Sequence, residues 1–326
     1  MDISIVIVNY RGWKALSECL DSLDEVESNK LKFEVIIVDN FSNDGIVFEF
    51  EKKYKKFNFY QNSGNNGFSN GCNFGASKSI GNYILFLNPD TIINTDALEV
   101  LLETAIFNPQ IGILSCLQIN ESNRLYKQEN FFPQFGRFFG LSRHLYRKLF
   151  VKELKIKFET KSNLFYPDWV TGAVIFMSSN WFHKIGGWNE DYWLYFEDVD
   201  FCKKVIDHGG KVAVTTEIMI IHKHGGASRI NTVTKALTKT EVIISKHVYV
   251  FNHFSKIEQV IIHSFLLTSS LISSLFLAFL SLFLFFVPKL VVHKLIFKNL
   301  FNYYFNALRM RTWKSPRSMN YLKDKY

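Results

Sequence analysis

Three apolar segments that each end in polar residues constrain the fold of this chain more than any other feature. They read ISIVIVNY (3–10), FEVIIVDN (33–40) and YILFLNPD (83–90). Near-continuous apolar runs are typical of parallel strands that are covered on both faces. Between the first two, WKALSECLDSL places Leu16, Cys19, Leu20 and Leu23 at helical spacing, and GFSNGCNFGASKSI can form a helix before the third. The pattern predicts an α/β fold with helices on both faces of a parallel sheet.

The polar residues that end these runs mark the predicted binding edge of the sheet. In open α/β sheets, ligands bind at the carboxyl ends of the parallel strands. Asn9 lies at the end of the first run, Asp39 at the end of the second, and Asn88 and Asp90 at the end of the third. We therefore expect these four side chains to line one crevice.

Net charge and cysteine spacing indicate what kind of partner the protein binds and in which cellular compartment it lies. The net charge of +8 indicates an anionic partner, either a phosphate-bearing ligand or an acidic membrane surface. The cysteines Cys19, Cys72, Cys116 and Cys202 show no metal-site spacing, which favours a reducing compartment. The first residues lack the basic start and long apolar run of a secretory signal, so we expect the α/β part to be cytosolic.

A change of composition divides the chain near residue 230. Residues 1–230 are predicted to form the α/β domain, and residues 231–326 a helical, membrane-associated region. Within the first, the aromatic and basic segment 131–165 has weak periodicity, and we interpret it as a mobile or membrane-proximal insertion. The densest basic segment follows the apolar one instead of running through the folded part, which argues against nucleic acid as a partner.

The C-terminal region contains an uncharged apolar stretch of 30 residues, 259–288. A straight helix of that length would measure about 45 Å, and the hydrocarbon core of a bilayer is roughly 30 Å thick. The stretch therefore forms either one tilted span or two half-helices broken near residues 269–274.

The basic tail, residues 289–326, bears on how that stretch meets a membrane. Its Leu290, Lys294, Phe297 and Phe301 pattern suggests a basic amphipathic helix at a membrane interface. A single span would place this tail opposite the cytosol, against the positive-inside tendency. We therefore favour a re-entrant or hairpin insertion over a single span. A soluble pair of hydrophobic helices is the remaining alternative.

The sequence Asn88-Pro89-Asp90 admits two interpretations. It is either a turn whose side chain caps the following helix, TDALEVLLETA, or a cation site. Mg²⁺ prefers oxygen ligands and usually keeps water and substrate phosphates, so one carboxylate at a strand end beside a diphosphate suits it. Asp39 is likewise either an ordinary turn acid or the acceptor of a hydrogen bond from a nucleotide base or ribose. Its register with Asn9 and Asp90 favours the second.

Three further segments carry groups suited to chemistry. The glycines of GNNGFSNGCNFG either let the backbone approach a ligand or only let a helix pack closely on the sheet. In YFEDVDFCKK, Glu197, Asp198 and Asp200 form either a solvated acidic helix start or a partly buried site, where a raised carboxyl pKa makes a better general base. His222 and His224, in IIHKHGG, are either loop histidines without a special role or a nitrogen ligand for the cation.

Together these segments resemble glycosyltransferase family 2, the inverting GT-A enzymes, and within it the bacterial rhamnosyltransferase-like branch. The resemblance runs from Ile3 to about Ser228. The order and spacing of seven motifs carry it: IVIVNYRGW, VIIVDNFSNDG, NNGFSNGCNFG, LFLNPDT, DWVTGA, GGWNEDYWLYFEDVDFC and HKHGGAS. It implies a GT-A, Rossmann-like nucleotide-diphospho-sugar transferase domain. There are two departures. Asn88 replaces the first acid of the family's D-x-D motif, as happens in this branch, and Arg11 stands where Asn is common.

The resemblance implies a role for each matching residue. The residues expected to bind the donor nucleotide are Asn9, Tyr10, Asp39, Asn65, Gly67 and Asn88. Asp90 and His222 would hold the Mg²⁺ or Mn²⁺ that bridges the donor diphosphate, and His222 fits the family's H-x-x-G-G-x-S pattern better than His224. Asp198, paired with Glu197, would be the catalytic base. The residues expected on the acceptor side are Trp169, Gly172, Trp188 and Asn189, although Trp188 suits the core equally well.

These roles describe an inverting, metal-dependent hexosyltransferase. We expect a donor such as dTDP-rhamnose or a UDP-sugar, and a lipid-linked glycan acceptor in the synthesis of O-antigen or capsule polysaccharide. The C-terminal region would hold the protein at the cytoplasmic face of the bacterial inner membrane. One alternative is an inactive nucleotide-sugar-binding or scaffold protein. Another is a nucleotidyltransferase or NAD-dependent enzyme, which would need a glycine-rich loop where this chain has NYRGWKAL.

Overall fold

A computed structural model describes residues 1–126, 130–139, 163–223 and 231–325, and these residues divide into two compact units. The first, here the α/β unit, contains residues 1–126, 130–132, 163–189 and 197–223. The second, here the helical unit, contains residues 133–139, 190–196 and 231–325. The sequence predicts a single boundary near residue 230, whereas two segments that precede it belong to the helical unit.

A mixed sheet forms the centre of the α/β unit. Its strands, within the described ranges, are β1 Ile3–Asn9, β2 Phe33–Asp39, β3 Asn58–Gln61, β4 Tyr83–Leu87, β5 Thr91–Ile92, β6 Ile111–Ile119, β7 Leu164–Phe165, β8 Val174–Ser178 and β9 Lys211–His222. They are ordered β3-β2-β1-β4-β8-β6-β9-β5, and β7 pairs with β9.

The part of the sheet built from the three apolar runs is parallel, as predicted. β1 pairs in parallel with both β2 and β4, and Asn9 lies opposite Asp39. Beyond β4 the sheet is mixed and not wholly parallel, because β8 pairs antiparallel with β4 and β6, whereas β6 and β9 pair in parallel. The chain enters β8 at Val174, opposite Leu87 at the carboxyl end of β4. Gly172 and Ala173 therefore lie at the predicted binding edge.

Six helices of the α/β unit lie within the described ranges. They are α1 Trp13–Asp24, α2 Val47–Lys53, α3 Phe68–Ala76, α4 Thr95–Phe107, α5 Ser179–Lys184 and α6 Glu197–Asp207. α1 buries the predicted stripe of Leu16, Cys19, Leu20 and Leu23. The helix predicted between the first two apolar runs is thus confirmed.

The glycines of α3 allow that helix to approach β1 closely. A Cβ atom added at Gly75 would lie 2.4 Å from Val6 Cγ1, and one at Gly71 would lie 2.7 Å from Val8 Cγ1. Gly67 precedes the helix with φ of 106°, in the region that favours glycine. Close helix–sheet packing therefore explains Gly71 and Gly75, and backbone conformation explains Gly67.

The helical unit contains a short 3₁₀ helix, Phe135–Phe138, and four α-helices in its described part. These are α7 Thr232–His253, α8 Lys256–Phe283, α9 Pro288–Met310 and α10 Met319–Lys325. α8 and α9 pack on each other and are joined by a turn at residues 284–287.

α8 is continuous, so of the two alternatives for this stretch the pair of half-helices broken near residues 269–274 is wrong and the single unbroken helix is observed. The serine hydroxyls in this stretch donate to carbonyls of the preceding turn: Ser269 Oγ to Phe265 O at 2.6 Å, and Ser274 Oγ to Leu271 O at 3.2 Å. These bonds satisfy the polar side chains without interrupting the helix. By length and composition α8 could cross a membrane, and only 17% of its most apolar window is buried. A helix in the core of a soluble protein would be mostly buried.

α9 has apolar residues on two faces. Val292, Ile296 and Leu300 belong to the buried core of the helical unit. Phe301 and Phe305 are more than half exposed. Exposed lysines at 294 and 298 lie along the same helix. This distribution agrees with the basic amphipathic helix expected from the sequence.

Parts of two sequence predictions lie outside the described residues. Of the predicted insertion at 131–165, residues 140–162 are not described. The second histidine of the IIHKHGG motif, His224, and the residues up to 230 are likewise outside.

Candidate active site

The carboxyl ends of β1 and β2 bring Asn9 and Asp39 together, as the sequence predicts. Both side chains are buried. Asn9 Oδ1 accepts a hydrogen bond from Gly12 N at 3.1 Å. The Asp39 carboxylate accepts from Ser42 N at 3.2 Å and from Gln61 Nε2 at 3.0 Å. Gln61 is itself exposed. One of the hydrogen-bond partners of the buried Asp39 carboxylate is therefore a surface side chain.

A network of amide side chains lies beside Asp39, and the sequence interpretation included only Asn65 from it. Asn40 Nδ2 donates to Asn65 Oδ1 at 3.2 Å and to Gly67 O at 3.1 Å. Asn62 Nδ2 donates to Asn40 Oδ1 at 3.1 Å and to Asn70 Oδ1 at 2.8 Å. The density of Asn in QNSGNNGFSNGCN was the signal that could have identified the network.

Tyr10 and Arg11 form the exposed rim at the end of β1. Tyr10 is 38% exposed, and the guanidinium carbon of Arg11 lies 5.3 Å from the centroid of its ring. Arg11 has φ of 56°, and its backbone N–H donates to Ser42 Oγ at 2.9 Å. An aromatic face and a fixed positive charge thus border the amide network.

Asp90 and His222, the predicted metal ligands, are brought together by strand pairing. Thr91 of β5 pairs with His222 at the end of β9, and Lys223 N donates to Asp90 O at 2.9 Å. Asp90 Oδ1 lies 3.3 Å from His222 Nε2. The distance between His222 Nδ1 and Gln118 Oε1 is 2.9 Å. The sequence interpretation did not include Gln118.

This pair fits a divalent cation. When Gln118 Oε1 accepts the Nδ1–H of a neutral His222, the lone pair of Nε2 and the Asp90 carboxylate are two adjacent acceptors, which a positive ion between them would stabilise. An oxygen that holds the second ring nitrogen is typical of metal-ligating histidines. Across the described ranges, no group of three or more Asp, Glu, His or Cys side chains forms a metal cluster. The remaining ligands would come from phosphate and water.

The alternative interpretation of Asn88-Pro89-Asp90 is right about the turn, in which Thr91 N donates to Asn88 O at 3.3 Å, and wrong about the helix cap. Asn94 is the N-cap of α4, and its Oδ1 accepts from Ala97 N at 3.0 Å. Asn88 N donates to Ala173 O at 2.9 Å instead. The Asn88-Pro89-Asp90 segment therefore lies between β4 and β5, at the carboxyl end of β4.

Asp198 is held at the same edge by the residue next to Ala173. Gly172 N donates to Asp198 Oδ2 at 3.2 Å, and Val199 N donates to Asp198 Oδ1 at 2.9 Å. A Cβ atom added at Gly172 would lie 3.7 Å from Asp198 Cβ. The backbone of residues 172–173 thus bonds to Asn88 at the end of β4 and to Asp198 in the first turn of α6.

The pKa of Asp198 is shifted in the direction that the sequence interpretation expects. Burial raises the pKa of this carboxyl group to about 6, and the hydrogen bonds from the backbone N–H groups of Val199 and Gly172 partly oppose that shift. Asp198 is only partly exposed, and its neighbour Glu197 is buried. A carboxylate with this pKa is a stronger base than an exposed aspartate and is still ionised near neutral pH.

The predicted acceptor-side residues have different surroundings. Trp188 is a core residue: it is 2% exposed and stacks on Phe201, with ring centroids 4.1 Å apart. This is the core alternative that the sequence left open. Trp169 is partly exposed and donates from Nε1 to Phe131 O at 3.1 Å. Gly172 contacts Asp198 as described above, and Asn189 is partly exposed.

Structural comparison defines the class of fold. The chain is similar to the crystal structure of GalNAc-T7 with UDP, GalNAc and Mn²⁺, with a TM-score of 0.56 and 16% identity over 76% of this chain and 50% of the other. The described sheet with its helices has the GT-A glycosyltransferase fold.

Sequence comparison identifies the family. The glycosyl transferase family 2 model matches residues 4–170, and a model described as the N-terminal domain of galactosyltransferase matches residues 152–225. The chain belongs to glycosyltransferase family 2.

The relatives include proteins of glycan synthesis. A low-salt glycan biosynthesis hexosyltransferase of Haloferax volcanii is 26% identical over 62% of this chain and 60% of its own length. A rhamnosyltransferase of Escherichia coli is 22% identical over 68% of this chain and 83% of its own length. A poly(ribitol-phosphate) β-glucosyltransferase of Bacillus spizizenii is 37% identical over 30% of this chain and 16% of its length. The chain thus spans less than two thirds of the first and third of these relatives.

Proposed function

We propose that this protein is an inverting hexosyltransferase that moves a sugar from a nucleoside-diphosphate sugar to a lipid-linked glycan. One observation carries the proposal: residues 172–173 bond to Asn88 on one side and to Asp198 on the other. A carboxylate with a raised pKa therefore lies beside the strand end that leads to Asp90. Family membership and the GT-A fold support the same chemistry.

The donor would bind along the carboxyl ends of β1, β2 and β4. Tyr10 and the amide network around Asn65 and Gly67 border the proposed nucleotide pocket, with Asp39 beneath Gln61. Asp90 and His222 would hold Mg²⁺ or Mn²⁺, and the bound ion would stabilise the negative charge that develops on the leaving diphosphate. The similar GalNAc-T7 structure, which contains UDP and Mn²⁺, supports this assignment.

Asp198 would act as the general base. Its carboxylate accepts the proton of an acceptor hydroxyl, and the hydroxyl oxygen attacks the anomeric carbon opposite the leaving diphosphate. The C–O bond to the acceptor forms as the bond to the diphosphate oxygen breaks, so the configuration inverts. The N–H groups of Gly172 and Val199 keep the carboxylate oriented through the reaction.

A lipid-linked acceptor is supported by the exposed apolar surface of the helical unit. The turn between α8 and α9 and the end of α8 expose five consecutive large apolar residues: Leu282, Phe283, Leu284, Phe285 and Phe286. Exposed apolar patches of this kind mark membrane or protein contacts, and the lysines of α9 add attraction to anionic lipid. The α8–α9 hairpin would hold the protein at the cytoplasmic face of a bacterial inner membrane, where lipid-linked precursors of O-antigen or capsule are elongated.

A donor-panel assay tests the proposed function. The full chain, bound to bacterial membranes that supply acceptor, is incubated with Mn²⁺ and one of several donors, including dTDP-rhamnose and UDP-sugars, and released nucleoside diphosphate is measured. We expect release from one donor, its loss with EDTA, and its recovery with added Mn²⁺.

Two other outcomes would reject the proposal in different ways. Binding of UDP or dTDP by calorimetry without release from any donor would indicate the alternative, an inactive nucleotide-sugar-binding or scaffold protein. Release that EDTA leaves unchanged would reject the metal assignment of Asp90 and His222 alone.

A further inference from the structure

The seven residues before the catalytic pair, EDYWLYF (190–196), have a backbone conformation that needs external support. Tyr195 has φ of 73° and Phe196 has φ of 65°, so two consecutive residues with large side chains are left-handed. Such a conformation costs roughly 1–2 kcal/mol per residue for an L-amino acid and persists only where the surrounding structure holds it. Phe196 is followed directly by Glu197 and Asp198. Only two peptide bonds therefore join this segment to the proposed base.

The C-terminal segment 313–321 supplies one set of contacts to this segment. Asn320 bonds twice: its backbone N–H donates to Glu190 O at 3.2 Å, and its side-chain Nδ2 donates to Asp191 Oδ1 at 2.9 Å. Ser315 N donates to Asp191 O at 3.1 Å. The ammonium group of Lys314 lies 3.7 Å from Asp191 Oδ1. Both backbone and side chain of residues 190–191 are thus fixed by residues more than 120 positions later in the chain.

The helix α7 supplies a second set. Ser245 Oγ donates to Leu194 O at 2.9 Å, and the ring of Phe196 lies 5.7 Å from that of Tyr249. These contacts fall on Leu194, which precedes the left-handed pair, and on Phe196, the second residue of the pair. They hold the second half of the segment in the same way that Asn320 holds the first.

A buried carboxylate on α7 ties the two sets together. Glu241 is fully buried, and its two oxygens accept hydrogen bonds from Ser315 Oγ at 2.9 Å and from Arg317 Nη1 at 3.4 Å. The same Arg317 guanidinium lies 5.8 Å from the ring centroid of Trp193. A buried carboxylate that lost these partners would carry a large desolvation penalty. The C-terminal segment is therefore anchored on α7 and is not a loosely attached end.

We propose that the C-terminal segment 313–321 is a clasp that holds residues 190–196 in the conformation from which Asp198 reaches its acceptor, and that Asn320 and Asp191 are positioning residues for the transfer reaction. The inference rests on the function proposed for Asp198. It also means that residues close to position 320, which lie outside the family motifs of the first 230 residues, affect the rate of sugar transfer.

Swapping the hydrogen-bond donor and the hydrogen-bond acceptor between Asn320 and Asp191 tests the clasp. Asn320→Asp places two carboxylates in contact, which breaks the hydrogen bond. Asp191→Asn combined with Asn320→Asp restores one hydrogen bond with the roles reversed and keeps the net charge. We expect Asn320→Asp to lower kcat by about tenfold or more, because small misplacements of a reacting group have effects of that size. The KM for the donor should stay within about twofold, and the double variant should recover most of kcat.

A second readout does not depend on activity. Hydrogen–deuterium exchange of the full chain, followed by mass spectrometry, measures the protection of residues 190–200. We expect faster exchange in Asn320→Asp and recovery in the double variant. Ser281→Ala is the matched control, because it removes a buried hydroxyl that donates to Ala278 O at 2.6 Å within α8, in the same helical unit. It should change neither kcat nor exchange at 190–200. Ser245→Ala, which removes only the hydroxyl bonded to Leu194, is a milder second variant should Asn320→Asp fold poorly.

The outcomes separate this inference from the proposed function. Unchanged exchange at 190–200 in both Asn320→Asp and Ser245→Ala would overturn the clasp, as would a loss of kcat without recovery in the double variant. A fall in UDP or dTDP binding equal to the fall in kcat would indicate general destabilisation and would also overturn it. A wild-type protein that transfers no sugar but shows the expected exchange pattern would reject the proposed function, and with it the positioning role, while it would support the hold of residues 313–321 on residues 190–196.

Discussion

At the scale of single residues, the chemistry depends on how each carboxylate is surrounded. Asp39 is buried and accepts hydrogen bonds from Ser42 and Gln61. Asp90 faces an imidazole nitrogen at 3.3 Å. Asp198 is desolvated and accepts two backbone N–H bonds. Three acids of similar intrinsic strength thereby acquire the three proposed tasks of contacting a nucleotide, holding a cation and accepting a proton.

Replacement of the proposed base should separate rate from donor binding. We expect Asp198→Asn to abolish transfer, with a loss of at least about a hundredfold, while the dissociation constant for UDP or dTDP with Mn²⁺ stays within about threefold. The amide preserves the shape of the carboxyl group but cannot accept the proton. Calorimetry and the donor assay on the same preparation give the two quantities. Equal losses of binding and of rate would contradict the role as base.

The same residue should make both activity and stability depend on pH. The folded-state pKa of Asp198 is raised to about 6 from 3.8, so its stabilising contribution is complete below pH 4 and is lost as the pH rises through 6. At pH 8 the buried charge should destabilise the fold by about 2–3 kcal/mol. We expect kcat to rise with pH through about 6, and Asp198→Asn to melt at a higher temperature than wild type at pH 8 but not at pH 4. A melting difference independent of pH would contradict this.

At the scale of secondary-structure elements, the apolar runs and their polar ends were sufficient to predict β1, β2, β4 and α1. The contact between Asp90 and His222 was expected from the resemblance to the family, which gave both residues to the same metal ion. Gln118 could not be predicted, because its role comes from a contact with a residue 104 positions away. The antiparallel direction of β8 was missed, and the choice between a broken and an unbroken α8 was left open, because both depend on where neighbouring elements lie. Periodicity reports which face of an element is buried but not what covers it.

Packing between α3 and β1 leads to a stability prediction. Gly75→Ala would place a methyl group 2.4 Å from Val6 Cγ1, so either the helix or the strand must shift. We expect a loss of about 1–3 kcal/mol in the free energy of unfolding, as for other overpacked cores. Denaturant titration measures it. Ser77→Thr also adds a methyl group, at the exposed C-cap of the same helix, and should change stability by less than about 0.5 kcal/mol.

At the scale of the whole molecule, the chain combines a glycosyltransferase unit with a helical unit of different surface character. The helical unit exposes phenylalanines along α8, at its turn and on α9. Lysines accompany them on α9. A water-soluble protein rarely exposes so many large apolar residues together. This surface is the basis for the proposed attachment to an anionic bilayer.

The turn of the α8–α9 hairpin should dominate membrane attachment. We expect the double substitution Phe285→Ser and Phe286→Ser to weaken binding to vesicles of phosphatidylglycerol and phosphatidylcholine by at least about tenfold, since each buried Phe contributes roughly 1.5–3 kcal/mol. Vesicle co-sedimentation of the full chain measures it. Phe107→Ser is the control, because Phe107 is 81% exposed in the α/β unit and should leave binding unchanged. Equal effects of both replacements would contradict the assignment to the hairpin.

The amide network beside Asp39 has a consequence for behaviour in acid. Asn40, Asn62, Asn65 and Asn70 neither gain nor lose protons, so acidification does not alter their hydrogen bonds. Asp198, in contrast, becomes protonated a little below neutrality. In a mildly acidified cell, the proposed nucleotide pocket would therefore keep its amide hydrogen bonds while the proposed base is protonated, and we expect sugar transfer to slow before donor binding weakens.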